Sequence, residues 1–314
     1  MIITATLNPS LDRAMEIDRL ARGDVIRATA TRFDPGGKGV NVSRALLANG
    51  VPTRAVLPCG GPDGAQLVSL LRAEGVDLLE VPIAGRTRSN ITLAEPDGTV
   101  TKVNEPGPTL SAGEFEAVTR AVLAAAEHAD WVVVSGSLPP GLAVDAFGRL
   151  CERLSRAGAR LAVDTTGPAL RAAAEAGVAL VKPNRGELAE VVGAPLRSLG
   201  DVIDAAQVVR GWGAGAVLAS LGADGAVFVN DGAAHAGECP VAVPRSSVGA
   251  GDALLAGFLA AGATGPPALA EGLAWGAAAV SLPGSRMPSP DDLRRDDVSV
   301  HPRPDLVRPL VSPG

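Results

Sequence analysis

The chain has 314 residues, a formal net charge of −6, 46 % hydrophobic residues and 3 % aromatics, so it suits one large α/β domain or two modest ones around an aliphatic core. The acidic balance, without a run of five like charges, argues against a nucleic-acid partner. Cys59, Cys151 and Cys239 form no C-x-x-C and His128, His235 and His301 form no close pair, which argues against a disulfide scaffold and a zinc site.

The first residues carry no basic, apolar leader, and no uncharged apolar stretch of about 18 residues stands out, so no membrane partner is expected and the default location is cytoplasmic. Residues 2–7 are a β-branched run, read as a buried strand. Asn8-Pro9-Ser10 ends it, and Asp12 follows at the place where open α/β sheets put ligand contacts. An Asx turn accounts for Asp12 equally well. Residues 15–33 alternate in short segments, expected as strands of a small separate sheet, with Arg27 inside them.

Gly36-Gly37-Lys38-Gly39-Val40-Asn41 precedes an amphipathic helix closed by Gly50. Its glycines allow close backbone approach to a ligand, and Lys38 and Asn41 can donate to it. Its spacing is neither that of a Walker A loop nor of the dinucleotide fingerprint. Strand 53–57, helix 65–74 and strand 76–83 then suggest a parallel βαβ order. Residues 89–95 and 99–104 alternate around Pro96-Asp97-Gly98, a hairpin signal. Joined with residues 13–34, the stretch 87–105 is expected to form a lid sheet with Arg88 at its hinge. An arginine there suits a phosphate through its planar donor fork.

From Ser111, which has capping-box spacing to Glu114, helices and strands alternate regularly. Strands are expected at 131–134, 160–163, 178–181 and 216–220, with helices at 144–157, 169–176 and 201–212. Each strand ends in a polar or glycine-rich cluster: Ser135-Gly136-Ser137, Asp164-Thr165-Thr166, Lys182-Pro183-Asn184, and Leu221-Gly222-Ala223-Asp224-Gly225. Recurrence along one edge of a parallel sheet points to a site there. Asn184 and Glu187 admit two readings, oxygen ligands for Mg²⁺ or a helix-capping pair.

The stretch Ser246-Ser-Val-Gly-Ala-Gly-Asp252 leads into an apolar helix pattern. Gly249 and Gly251 let N–H groups turn inward, and the helix start adds free N–H groups and the positive end of its dipole, together an anion site. A carboxylate in such a place makes sense as the base that takes a proton from a hydroxyl attacking a phosphoryl group. A plain helix-start carboxylate is the alternative. Residues 257–280 read as helix, and residues 291–314 as a tail of little core value.

The glycine clusters resemble the two signatures of the PfkB, or ribokinase-like, carbohydrate kinases, over about residues 1–290. Thr6-Leu-Asn-Pro-Ser-Leu-Asp12, Arg86-Thr-Arg-Ser-Asn-Ile91, Ser135-Gly-Ser-Leu-Pro-Pro-Gly141 and Lys182-Pro-Asn-Arg-Gly-Glu-Leu188 look like the 1-phosphofructokinase and tagatose-6-phosphate kinase branch. The resemblance implies a three-layer α/β sandwich with a mostly parallel central sheet and a β lid, ATP as donor and Mg²⁺ as counter-ion. It implies Asp252 as catalytic base and Gly249, Ala250 and Gly251 as the anion hole. Asp12, Gly37, Lys38 and Asn41 fall in the sugar site, and Arg88, Asn90 and Ser137, to which Arg27 is added, beside the substrate. Lys182, Asn184, Ser220, Gly222 and Gly225 belong to the nucleotide region, and Asn184 and Glu187 to the metal.

Together these imply an ATP-dependent 1-phosphofructokinase acting on the C6 hydroxyl of fructose 1-phosphate. Tagatose-6-phosphate kinase or 6-phosphofructokinase is the alternative within the family, and a non-catalytic sugar-phosphate sensor the alternative outside it. A homodimer joined through the lid is a further expectation.

Overall fold

In a computed structural model that describes residues 1–311, hydrogen-bonded strands and helices follow one another as β1 (Ile2–Ala5), β2 (Ser10–Glu16), β3 (Ala30–Gly36), α1 (Lys38–Ala48), β4 (Thr53–Cys59), α2 (Gly61–Ala73), β5 (Asp77–Pro82), β6 (Arg88–Ala94) and β7 (Val100–Asn104). Regular alternation then gives α3 (Ala112–Ala126), β8 (Trp131–Ser135), α4 (Val144–Arg156), β9 (Leu161–Asp164), α5 (Gly167–Glu175), β10 (Leu180–Val181), α6 (Arg185–Val192), α7 (Leu199–Gly211) and β11 (Val217–Ser220). The last part holds β12 (Ala226–Val229), β13 (Ala234–Glu238), α8 (Ala250–Ala260), α9 (Gly265–Ser281) and β14 (Ser299–His301).

Ten strands form one sheet in the order β14-β13-β12-β11-β10-β9-β8-β1-β4-β5, and β3-β2-β6-β7 form a second, four-stranded sheet. The run from β11 to β5 is parallel, and β12, β13 and β14 are added antiparallel. Strand alternation divides the core. Ile3, Val132, Val134, Val163 and Val217 pack on one face with residues of α3, α4, α5 and α7. Ile2, Trp131, Val133, Leu180 and Leu218 pack on the other with Leu255 and Phe258 of α8 and Trp275 of α9. Buried on both faces, these strands read as continuous apolar runs, as a covered parallel sheet requires. No helix among the described residues is long and apolar enough to cross a membrane.

Four features differ from the sequence reading. The lid strand β2 begins at Ser10, so Asp12 sits inside a strand and pairs with Asp34 and Asn90 rather than closing a turn. Residues 17–29 are outside any strand, and Arg27 lies exposed in that stretch. The apolar run 257–280 is two helices, because Gly262 at φ 93 and Ala263 at φ 59 turn the chain back between α8 and α9. The segment after residue 290 is no loose tail, since β14 pairs with β13 through Gly237↔Val300 and forms the edge of the main sheet. Three residues are too short a run for periodicity to mark a strand.

Candidate active site

The site forms where the carboxyl ends of β1, β8, β9 and β10 meet the starts of α1 and α8, under the lid strands β2 and β6. Gly249 caps α8 at φ 75 and ψ 0, a left-handed conformation that glycine adopts without strain. The chain thereby enters α8 with its first N–H groups free of intrahelical partners. A Cβ on Gly249 would lie 2.6 Å from Met287 Cε, so the 283–287 loop seats directly on this turn. A Cβ on Gly251 would lie 3.4 Å from Lys182 Nζ, which puts that ammonium beside the helix start.

Asp252, in the first turn of α8, is buried, and its Oδ2 accepts a 2.8 Å hydrogen bond from Asn41 Nδ2 on α1. Burial, and then the neighbouring charge of Asp164, push its carboxyl up to about 6, against the opposing pull of Asn41, Lys182 and Lys38. Asp164, at the end of β9, is the hub of a buried charge cluster. Lys38 Nζ donates to its Oδ1 at 2.7 Å, and Lys182 Nζ lies 3.0 Å from its Oδ2. Burial alone would raise the Asp164 carboxyl, but Lys182 and Lys38 outweigh it and hold it below its ordinary value. Lys38 is held above its ordinary value, because Asp164, Glu187 and Asp252 overcome its own burial. The strand-end cluster Asp164-Thr165-Thr166 is visible in the sequence, but nothing there distinguishes Asp164 as the partner of both lysines.

The lid supplies a second group. Ser10 Oγ donates to Asp12 Oδ1 at 2.7 Å, and Asn90 Nδ2 reaches the same oxygen at 3.0 Å and Ser10 Oγ at 2.9 Å. Gly36 is required here, because a Cβ on it would lie 2.4 Å from both Asp12 Oδ1 and Ser10 Oγ. Burial raises the Asp12 carboxyl despite the bonds from Ser10 and Asn90 and the charge of Arg88. Gly37, at φ 120, opens α1, and a Cβ on it would meet Thr6 Cγ2 at 2.8 Å.

Arg88 begins β6. Its Nε donates to the carbonyl of Asn8 at 3.2 Å and its Nη1 to the carbonyl of Glu105 at 3.2 Å. Burial draws the guanidinium below its ordinary value, against the charges of Asp12 and Glu105. Asn8 Nδ2 donates to Ser137 Oγ at 3.3 Å, so Arg88, Asn8 and Ser137 share one corner. Asn8 is a site residue that the sequence reading passed over as a strand terminator. Among the site residues, Asn8 Oδ1, Asn41 Oδ1, Asn90 Oδ1 and Ser135 Oγ are buried without a hydrogen-bond partner. Orphaned buried acceptors are costly, so they mark a cradle for a ligand rich in hydroxyl donors. Arg27 is not brought to this cluster. Among the described residues it has no hydrogen bond or ion pair.

Asn184 and Glu187 form the capping pair. Asn184 Oδ1 accepts from the Glu187 N–H at 2.8 Å, and Glu187 Oε2 from the Asn184 N–H at 2.8 Å. The other oxygen, Glu187 Oε1, lies 3.3 Å from Lys38 Nζ. No group of three or more acidic, His or Cys side chains able to hold a metal occurs among the described residues. With both Glu187 oxygens engaged, the pair could hold an ion such as Mg²⁺ that keeps most of its ligands as phosphate oxygens and water. Ser220 adjoins this strand end, its N–H donating to the Pro183 carbonyl at 3.0 Å. Gly222 at φ 63 and Gly225 at φ 93 bound the next turn. Gly225 is also a packing glycine, since a Cβ there would lie 1.9 Å from the Gly237 carbonyl oxygen.

The model of the pfkB family carbohydrate kinases matches residues 5–292. The chain is 38 % identical over 264 residues to a 1-phosphofructokinase of Xanthomonas campestris pv. campestris, covering 82 % of this chain and 83 % of that one. It is 37 % identical over 300 residues to the ATP-dependent 6-phosphofructokinase isozyme 2 of Escherichia coli, covering 94 % and 97 %. The crystal structure of phosphofructokinase-2 from Escherichia coli in complex with potassium superposes with a TM-score of 0.88 at 36 % identity, covering 93 % of this chain and 96 % of that one. The arrangement of the two sheets is the ribokinase-like α/β fold.

Proposed function

The chain belongs to the pfkB family of carbohydrate kinases, and from that premise we propose that it is an ATP-dependent 1-phosphofructokinase, converting fructose 1-phosphate and ATP to fructose 1,6-bisphosphate and ADP. The observation that carries the chemistry is the buried Asp252, raised to about 6, at the first turn of a helix whose first N–H groups are free of intrahelical partners. A carboxylate near that value is mostly ionised at neutral pH yet basic enough to accept a proton in the transition state.

Asn41 occupies Asp252 Oδ2, which leaves Oδ1 to take the proton of the C6 hydroxyl as its oxygen attacks the γ-phosphoryl group of ATP. The free N–H groups of Ala250, Gly251 and Asp252 receive the charge that develops on the transferred group. Lys182, beside Gly251, offsets phosphate charge, and the buried Asp164 fixes Lys182 and Lys38 in place. Gly37, Asp12, Asn41 and Asn90 hold the sugar hydroxyls, with the orphaned Asn41 and Asn90 oxygens as acceptors. Arg88, Ser137 and Asn8 hold the C1 phosphate, and Arg27 has no part in this within one chain. Asn184, Ser220, Gly222 and Gly225 shape the nucleotide side. Glu187 and Asn184 would hold Mg²⁺, which would supply charge neutralisation for the transferred phosphoryl group. The lid excludes water, which otherwise competes as acceptor.

The residues matched by the family model, 5–292, form the kinase unit of this reading, with the lid as its insertion. A cytoplasmic location goes with the ATP donor. A homodimer through the lid is supported by the exposed Val25, Val100 and Val103 on the lid side. Light scattering at micromolar concentration tests it, and a monomer opposes it.

The relative named 6-phosphofructokinase isozyme 2, at similar identity, favours a second reading in which fructose 6-phosphate is the acceptor. ADP release with Mg-ATP against fructose 1-phosphate, fructose 6-phosphate and tagatose 6-phosphate decides between them. We expect the highest kcat/KM with fructose 1-phosphate. A preference for a 6-phosphate overturns the substrate assignment while leaving Asp252 as base.

A further inference from the structure

The segment 302–311 lies beyond the residues matched by the family model, yet it runs back from β14 across the start of α7 to the turn at residues 222–225. Its backbone is tied down on the way. The Gly200 N–H donates to the Leu306 carbonyl at 2.9 Å, the Leu199 N–H to the Arg308 carbonyl at 3.0 Å, and the Leu310 N–H to the Arg197 carbonyl at 2.8 Å. At the turn, Arg308 Nη2 donates to the Asp224 carbonyl at 2.7 Å, and the Val311 N–H to Asp224 Oδ1 at 3.3 Å. The other arm of the guanidinium, Nη1, forms an ion pair with Glu238 on β13, whose Oε1 lies 3.2 Å from His301 Nε2 on β14.

We infer that Arg308 is a positioning residue for the nucleotide, acting as a clamp that ties the 222–225 turn to Glu238 on β13. The inference rests on the reading of that turn as part of the nucleotide side. The turn needs such a hold because of its composition. It carries two glycines at positive φ, 63 and 93, and a free glycine-rich turn has more conformations to lose on binding than any other. The strand that leads into it, β11, is joined to the segment after β10 through the Ser220 N–H and the Pro183 carbonyl. The turn's outer side is fixed by the carbonyl of Asp224, and Arg308 reaches that atom. An arginine suits the task, since its fork bridges a carbonyl and a carboxylate at once, which a lysine cannot do in one geometry. A turn fixed in advance spares ATP the cost of ordering it. The sugar and its phosphate lie on the lid side, where Arg308 touches nothing.

The experiment measures KM for ATP and for fructose 1-phosphate separately in the full chain. Arg308→Ala is expected to raise KM for ATP about tenfold, in line with the loss of a charged hydrogen bond, and to leave the sugar KM within about twofold. Glu238→Gln, which keeps Arg308 but loosens it, is expected to raise KM for ATP about threefold. If Arg308→Ala does not fold, Glu238→Gln decides by the same criterion. An ATP KM within twofold of the parent in the folded variants overturns the inference, and so does an equal rise in both KM values, which marks a general structural loss. Gly222→Ala separates this from failure of the underlying reading. If Gly222→Ala raises the ATP KM and the Arg308 variant does not, the clamp alone is wrong. If neither does, the turn is not part of the nucleotide side, and the clamp falls with it.

Discussion

Asp164 and Asp252 share one buried cluster and are driven in opposite directions, Asp164 held ionised by Lys182 and Lys38, and Asp252 raised to about 6 by burial and by the charge of Asp164. Two carboxylates whose environments separate them in this way divide the work of a fixed anion and a proton acceptor. The base must be ionised to act, so kcat/KM for the sugar phosphate should rise with pH through about 6 and level off above it. In Asp164→Asn that limb should move to lower pH, since one raising charge is gone and both lysines remain. A limb unmoved near 6 counts against Asp164 as a source of the shift.

Asp164 also bears on stability. Its folded value lies below its ordinary one, so its contribution is present above the ordinary carboxylate range and is lost as pH falls through the depressed folded value. Removing one partner from a buried charge cluster costs roughly 3–5 kcal/mol, so Asp164→Asn should lower the urea midpoint clearly at pH 7. The gap to the parent should close in acid. Equal midpoints at pH 7 would mean that the lysines find other partners.

Asp252→Asn keeps the shape of the side chain and removes the proton acceptor. We expect kcat to fall about 10²–10⁴-fold, with ATP binding within a few-fold of the parent by calorimetry. Turnover near the parent value would assign Asp252 to the helix-start role that its place in the first turn of α8 also allows.

Arg88→Ala should act on the other end of the sugar. Arg88 spends Nε and Nη1 on the carbonyls of Asn8 and Glu105, which fixes its plane and leaves Nη2 for a phosphate oxygen. KM for fructose 1-phosphate should rise at least tenfold, while KM for ATP changes little. An unfolded variant is guarded against by Arg88→Lys, which keeps the charge and should recover part of the affinity.

The sequence showed what depends on local pattern. The strands of the main sheet between Ile2 and Ser220, the lid hairpin around Pro96-Asp97-Gly98 and the glycine-capped start of α8 all follow from residue periods and turn chemistry that neighbours in the chain carry between them, whereas the first lid strands β2 and β3 do not. The pairing of Asn41 with Asp252, 211 positions apart, was not legible from spacing, nor was Asp164 as partner of Lys38 at 126 positions. Such contacts are set by strand order. The antiparallel β12–β13–β14 edge went unseen because its strands are three to five residues long and the last lies in a charged, proline-rich stretch. Asn184 and Glu187 were visible with both of their readings, and the capping pair forms while Glu187 Oε1 still faces Lys38.

Gly225 tests how far the glycines of the site serve packing. Its Cβ would lie 1.9 Å from the Gly237 carbonyl oxygen, which belongs to the β12–β13 ladder and cannot swing aside as a side-chain end can. Gly75 provides the comparison, because it too has a positive φ, 83, but nothing lies within 4 Å of its added Cβ. Gly75→Ala should therefore cost only the left-handed strain, about 1–2 kcal/mol. Gly225→Ala carries the overlap and the strain of φ 93 with ψ −133, outside the left-handed helical well, and should lose at least about 2 kcal/mol more, or roughly 3 °C in Tm beyond the Gly75 variant. Thermal melts of the two variants side by side measure the difference. Equal losses would mean that β13 shifts freely at Gly237, and the rigidity assigned to that edge of the sheet would be wrong.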